Sequence, residues 1–167
     1  MIRRLTPADA PAYRAFRLRG LREHPEAFTS SYEEDAAKPL SATESRLAPG
    51  SGTAIWGAFV DGTLAGGIGM TRETRSKNRH KADVVAMYVM PEYARRGLGR
   101  ALLAHVIGEA RADGIEQLTL TVTDTNVAAR ELYAAVGFVT FGVEPRAIKV
   151  DGTYFAKEHM VLWLGGA

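Results

Sequence analysis

The chain has 167 residues, 46% of them hydrophobic and 24% charged, with a formal net charge of +2 and a sequence pI near 9.0. That length suits one domain over residues 1–167 and is short for two. The absence of cysteine excludes disulfides, thiolate metal sites and a cysteine nucleophile, and fits a reducing, cytoplasmic setting.

Residues 1–5 read as a short strand. Thr6-Pro7 then offers an N-cap with proline at the first helical position, and Tyr13, Phe16, Leu18 and Leu21 follow helical spacing to about Glu23. His24-Pro25-Glu26 breaks that helix. Residues 30–47 are polar and weakly periodic, which predicts one or two short helices interrupted near Pro39, with Ser41 and Glu44 as a capping box. Strands over 54–60 and 64–71 flank Asp61-Gly62, a strong hairpin signal. Residues 75–81 form an exposed basic loop. Residues 82–89 are nearly continuous in apolar side chains, as in a central strand covered on both faces.

A helix over 97–113 carries Leu98, Leu102, Val106 and Ala110 at a spacing of four and stops at Gly114. A strand over 117–123, a helix over 126–135 closed by Gly137, and a hairpin of 138–150 and 154–164 through Asp151-Gly152 complete the chain. The order β-α-α-β-β-β-α-β-α-β-β predicts a mixed-sheet α/β or α+β domain. No run of eighteen apolar residues occurs, so no membrane span is expected. The four histidines show no metal-ligand spacing, so no metal is expected.

Two segments carry chemistry. In the first, Val84-Val85-Ala86-Met87-Tyr88-Val89-Met90-Pro91 runs into Glu92-Tyr93-Ala94-Arg95-Arg96-Gly97-Leu98-Gly99-Arg100-Ala101. A buried strand ending in a glycine- and arginine-bearing helix start outlines an anion site, because the first helical N–H groups lack partners and the helix dipole favours negative charge. In the second, the strand over 118–122 leads to Asn126, Ala129 and Tyr133. Together they suggest a phosphate-bearing ligand beside a positioned proton donor. Arginine clusters at 14–22 and 72–81 keep a nucleic-acid- or ribosome-associated reading open, although no aromatics interleave them.

The element order and these segments resemble the GNAT superfamily of acetyl-CoA-dependent N-acyltransferases. The likeness covers nearly the whole chain, and implies a sheet splayed between strands 4 and 5. The family signature is Gln or Arg, two variable residues, Gly, one variable residue, then Gly or Ala; here it reads Ala94-Arg95-Arg96-Gly97-Leu98-Gly99. Ala94 replaces the leading polar residue, while the backbone donors remain and Arg95 or Arg96 can supply charge. The resemblance implies acetyl-CoA contacts at Met87, Tyr88, Val89, Arg95, Arg96, Gly97, Leu98, Gly99, Arg100, Ala101, Asn126 and Ala129. It also implies Tyr133 as the general acid for the departing thiolate.

Counting back from the signature, the resemblance places a general base at Asp83, although its place beside Lys81 at a strand start reads first as a surface ion pair. Residues 25–33 and 144–152 resemble a bacterial subgroup whose acceptor is unassigned, and imply acceptor contacts at Tyr32, Glu33 and Arg146. The expected activity is direct acetyl transfer to a small-molecule or peptide amine, without a metal, in a protein that can form a homodimer. A non-catalytic acyl-CoA sensor of the same fold remains the alternative.

Overall fold

The computed structural model describes residues 1–165. Its strands are β1 (Ile2–Arg4), β2 (Thr53–Val60), β3 (Thr63–Arg72), β4 (Lys81–Val89), β5 (Gln117–Thr123), β6 (Val139–Val150) and β7 (Thr153–Trp163). They form one sheet in the order β1-β2-β3-β4-β5-β7-β6. All neighbours are antiparallel except β4 and β5, which run parallel. Both predicted hairpins close through two-residue turns in which each residue is left-handed: Asp61 and Gly62 at φ 48° and 79°, Asp151 and Gly152 at 46° and 81°. Such turns match the twist of the strands they join.

The helices are α1 (Ala10–Glu23), α2 (Tyr32–Ala36), α3 (Leu40–Leu47), α4 (Leu98–Ala112) and α5 (Val127–Val136). A 3-10 turn over Pro7–Asp9 leads into α1. Asp9 accepts from the Thr6 N–H at 2.8 Å and pairs with Arg3 at 2.7 Å. The Arg3 hydrogen bond is the main force holding the Asp9 carboxyl down at about 2. Short helices form on both sides of Pro39, so the first crossover holds three helices where the predicted order has two.

The expected Ser41–Glu44 capping box does not form. Helix α3 starts at Leu40, directly after Pro39, so Ser41 already lies inside the first turn and cannot cap it. The box belongs instead to Ser31 and Glu34: the Glu34 N–H donates to Ser31 Oγ at 3.1 Å, and the Ser31 N–H to Glu34 Oε2 at 3.2 Å.

Side-chain alternation along the strands divides the core between the two sheet faces. Leu102, Leu103, Val106 and Ala110 of α4 pack with Ile68 and Leu118 on one face. Tyr13 and Phe16 of α1 pack with Leu47, Ile55 and Tyr88 on the other. Arg19 of α1 reaches Glu92 through both terminal guanidinium nitrogens, at 2.6 and 2.9 Å, and so ties α1 to the turn after β4.

The parallel ladder is short. β4 and β5 pair only at Lys81↔Gln117, Ala82↔Leu118 and Asp83↔Thr119. Beyond that rung β4 follows β3 to Val89, while β5 follows β7 to Thr123. The sheet therefore forks at its centre, as the resemblance implies. Among the described residues no helix is long and apolar enough to cross a membrane.

Candidate active site

The fork opens into a cleft of about 920 Å3. Its walls are β4 from Val84 to Val89, the end of β5, the starts of α4 and α5, and a strap of residues 24–29 after α1. Along the β4 wall the register slips. Between Gly67↔Tyr88 and Gly69↔Val85, β4 carries one more residue than β3. Ala86 sits in this bulge at φ 54°, a left-handed conformation that costs a non-glycine residue about 1–2 kcal/mol. The bulge turns the regular edge of β4 at the point where it lines the cleft.

The start of α4 supplies the anion cradle. Ala101 is the first helical residue whose N–H reaches a carbonyl of the same helix start, that of Gly97 at 3.0 Å. The N–H groups of Leu98, Gly99 and Arg100 precede the first intrahelical bond, no side chain caps them, and all three residues line the cleft. Gly97, at φ 77°, makes the turn that aims them. A Cβ on Gly99 would lie 3.2 Å from both Leu132 and Met87, so glycine there lets α4 close on β4 and α5. Arg95 and Arg100 add positive charge to the same wall. Such a cradle fits a multi-oxygen anion such as a pyrophosphate.

Across the fork, Asn126 caps α5 by accepting the Ala129 N–H at 3.2 Å. Tyr133 lies two turns further on, is 6% exposed, lines the cleft and meets Phe138 edge-on at 5.8 Å. Burial pushes its phenol up to about 12, so it carries its proton across the neutral range.

A family model described as the Acetyltransferase (GNAT) family matches residues 18–138. The chain belongs to the GNAT family. A GNAT-family acetyltransferase of known structure from Streptococcus pneumoniae superposes with a TM-score of 0.86 at 30% identity, over 98% of each chain. The ribosomal protein bS18-alanine N-acetyltransferase of Escherichia coli K12 is 45% identical over 58 residues, 35% of this chain and 39% of that protein. N-alpha-acetyltransferase RimI of Mycobacterium tuberculosis is 36% identical over 96 residues, 58% of either chain. The chain thus matches less than two thirds of the length of these curated relatives.

Most residues that the GNAT resemblance implies for acetyl-CoA share the cleft wall: Met87, Tyr88 and Val89 on β4, Arg95 and the stretch from Gly97 to Arg100, and Asn126, Ala129 and Tyr133. Two do not. Arg96 is not on the wall; its guanidinium lies 5.4 Å over the ring of Tyr93, which is. Ala101 is also off the wall, with its N–H engaged by Gly97.

Asp83 lies outside this wall. It occupies the last paired rung before the fork opens and accepts a hydrogen bond from the Thr119 hydroxyl. It fastens β4 to β5 and is neither presented to the cleft nor bonded to Lys81.

Tyr32 and Glu33 line a second cavity of about 410 Å3, which shares Phe28 and Thr29 with the main cleft. Arg146 lies on neither wall. It takes φ 52° in β6 and covers the Tyr154 ring at 4.8 Å.

Sequence reasoning missed Lys157 on this wall, and it assigned residues 25–33 to the acceptor side without the strap's contacts in the main cleft. The Thr123 hydroxyl donates to the Glu26 carbonyl at 2.6 Å, and Lys157 Nζ to the Thr29 hydroxyl at 2.7 Å. These partners are 97 and 128 positions apart, so no local pattern announces them. Among the described residues no group of three or more metal-ligating side chains gathers.

Proposed function

We propose that this GNAT protein is an acetyl-CoA-dependent N-acetyltransferase that passes the acetyl group directly to a primary amine within a ternary complex. The observation that carries the reading is the convergence on one cleft of the three free N–H groups of α4, the open β4–β5 fork and the protonated Tyr133. The N–H groups at 98–100, with Arg95 and Arg100, hold the pyrophosphate. The fork takes the pantetheine arm against β4, whose backbone pairs with its amides as an added strand would.

The acceptor amine attacks the thioester carbon, forming the C–N bond, while backbone donors at the β4 bulge steady the carbonyl oxygen. As the C–S bond breaks, Tyr133 gives its proton to the leaving sulfur. The nitrogen loses one proton to water, and the phenol regains one. A phenol raised to about 12 is a weak acid, and burial moves the departing thiol in the same direction. Asp83 takes no part.

The acceptor approaches past the second cavity, where Tyr32 and Glu33 stand. The nucleic-acid reading loses support because Arg3, Arg17, Arg19 and Arg72 are each paired with a carboxylate of this chain. The cysteine-free composition fits a reducing compartment, so the reading places the protein in the cytoplasm. For self-association, support comes from the open outer edge of β6, where Phe141 and Val143 are 61% and 59% exposed.

The test is acetyl-CoA titration by calorimetry, followed by thiol release across an amine panel. Saturable binding with amine-dependent release is expected. Absent binding at millimolar acetyl-CoA would overturn the reading, and binding without release from any amine would favour the sensor.

A further inference from the structure

Lys157 is out of place for a lysine. It sits in β7, opposite Thr123 of β5 on one side and Glu144 of β6 on the other. It is 8% exposed and lines the main cleft. Lysine is almost never buried unless paired with an opposite charge. Yet among the described residues no carboxylate lies within 4.0 Å of its ammonium, and its hydrogen bond goes to the Thr29 hydroxyl at 2.7 Å. An ammonium has three donors, so two remain for a ligand.

The nearby acids are engaged elsewhere. Glu144 is half exposed and pairs with His159 at 3.1 Å. Glu26, on the same cleft wall, faces His24 at 3.8 Å. Burial lowers the Lys157 pKa and Glu144 partly restores it, which is what an ammonium lacking a close counter-ion shows.

Position tells which ligand this charge serves. The pyrophosphate cradle lies at the start of α4, on the other side of the fork. Lys157 instead bonds to Thr29, a residue on the walls of both the cleft and the second cavity. The ammonium therefore stands at the junction between the thioester's cleft and the acceptor's approach; the second cavity beyond it carries both signs of charge, Arg22 and Lys149 with Glu33 and Asp151. An acceptor that brings its own anion to this junction supplies the missing counter-charge.

We infer that Lys157 is a specificity-determining residue for the acceptor, and that the acceptor is a primary amine bearing a carboxylate or phosphate that docks on its ammonium. The inference rests on the acetyltransferase reading above and names its substrate class.

The experiment compares matched amines by thiol release: glycine with glycinamide for the carboxylate, and ethanolamine phosphate with ethanolamine for the phosphate. Acetyl-CoA binding is first confirmed by calorimetry on the same protein. At least one anionic member is expected to exceed its neutral partner in kcat/KM by about 10-fold or more, the scale of one charge-assisted hydrogen bond. The arm that shows it identifies the anion.

Lys157→Met keeps the apolar stem and should remove the preference through acceptor KM, with acetyl-CoA affinity and melting temperature held; Lys157→Arg should retain part of it. Equal rates within both pairs, a preference that survives in Lys157→Met, or no turnover of any anionic amine would each overturn the inference. The wild-type comparison decides the substrate class even if the methionine variant does not fold, and Lys157→Arg then tests the residue. Failure of acetyl-CoA to bind would instead overturn the parent reading.

Discussion

Replacing Gly97 by alanine isolates the backbone turn that aims the anion cradle. Gly97 sits at φ 77°, and a Cβ built there meets no heavy atom within 4 Å. The substitution therefore collides with nothing, and its whole cost is the left-handed strain on an L-residue, about 1–2 kcal/mol. If the loop keeps its shape with and without ligand, the strain appears in the fold as a fall in melting temperature of roughly 2–8 °C. If the loop relaxes when free and is restored on binding, the same strain weakens acetyl-CoA about 5- to 30-fold. Calorimetric affinity and thermal unfolding, measured on one sample, should together account for about 1–2 kcal/mol. Gly108→Ala is the control. It lies in the interior of α4 with no neighbour within 4 Å and no positive φ, so it should stabilise by roughly 0.5–1 kcal/mol. A Gly97→Ala protein matching wild type in both measurements would refute the claim that the left-handed turn builds the cradle.

Tyr133→Phe should lower kcat by about 100-fold or more while leaving acetyl-CoA affinity unchanged, because the phenol acts on the leaving sulfur; unaltered turnover removes its role. Since burial holds that phenol up to about 12, the wild-type kcat profile should show no falling limb from Tyr133 between pH 6 and 10. Asp83→Asn should retain kcat/KM, because the residue faces Thr119 rather than the cleft; a steep loss would return it to the mechanism. Asp9→Asn should destabilise the fold at neutral pH by about 1 kcal/mol at most, since the Arg3 pair is partly open to solvent. The Asp9 carboxyl is lowered from 3.8 to about 2 in the fold. Its contribution is therefore complete above the unfolded value and fades as pH falls through about 2. Melting curves of the two proteins should converge there.

The fold was legible where local chemistry decides it. Asp61-Gly62 and Asp151-Gly152 name their turns by residue type, and the four-residue spacing from Leu98 to Ala110 names the buried face of α4. The cofactor half of the site was legible for the same reason: β4, its loop and the start of α4 are contiguous, so one stretch of sequence holds the strand, the glycines and the arginines. Misreadings came where two local rules competed. Ser41 and Glu44 have capping-box spacing, but with Pro39 as the N-cap the helix starts two residues too early for them. Arg95 and Arg96 are equivalent in sequence; in the fold Arg95, at φ 61°, lines the cleft while Arg96 covers the Tyr93 ring.

The acceptor half was illegible because pairing, not pattern, builds it. Asp83 shows how. Counting residues back from a glycine motif finds a carboxylate at a plausible spacing, yet its exposure to the cleft depends on where the β4–β5 ladder ends. That ladder ends at Asp83↔Thr119. The first residues of β4 on the open fork are thus Val84 and Val85, neither of which can take a proton. Lys157 shows the converse. In sequence it is one charge within β7, where a solvated side chain is the ordinary outcome. Three-strand pairing with Thr123 and Glu144, and the strap laid over it at Thr29, turn it into a buried ammonium on the main cleft wall, bonded to a residue that the second cavity shares. A residue's chemistry here follows from which distant backbone lies beside it, so specificity can change by re-pairing a strap while the signature loop stays the same.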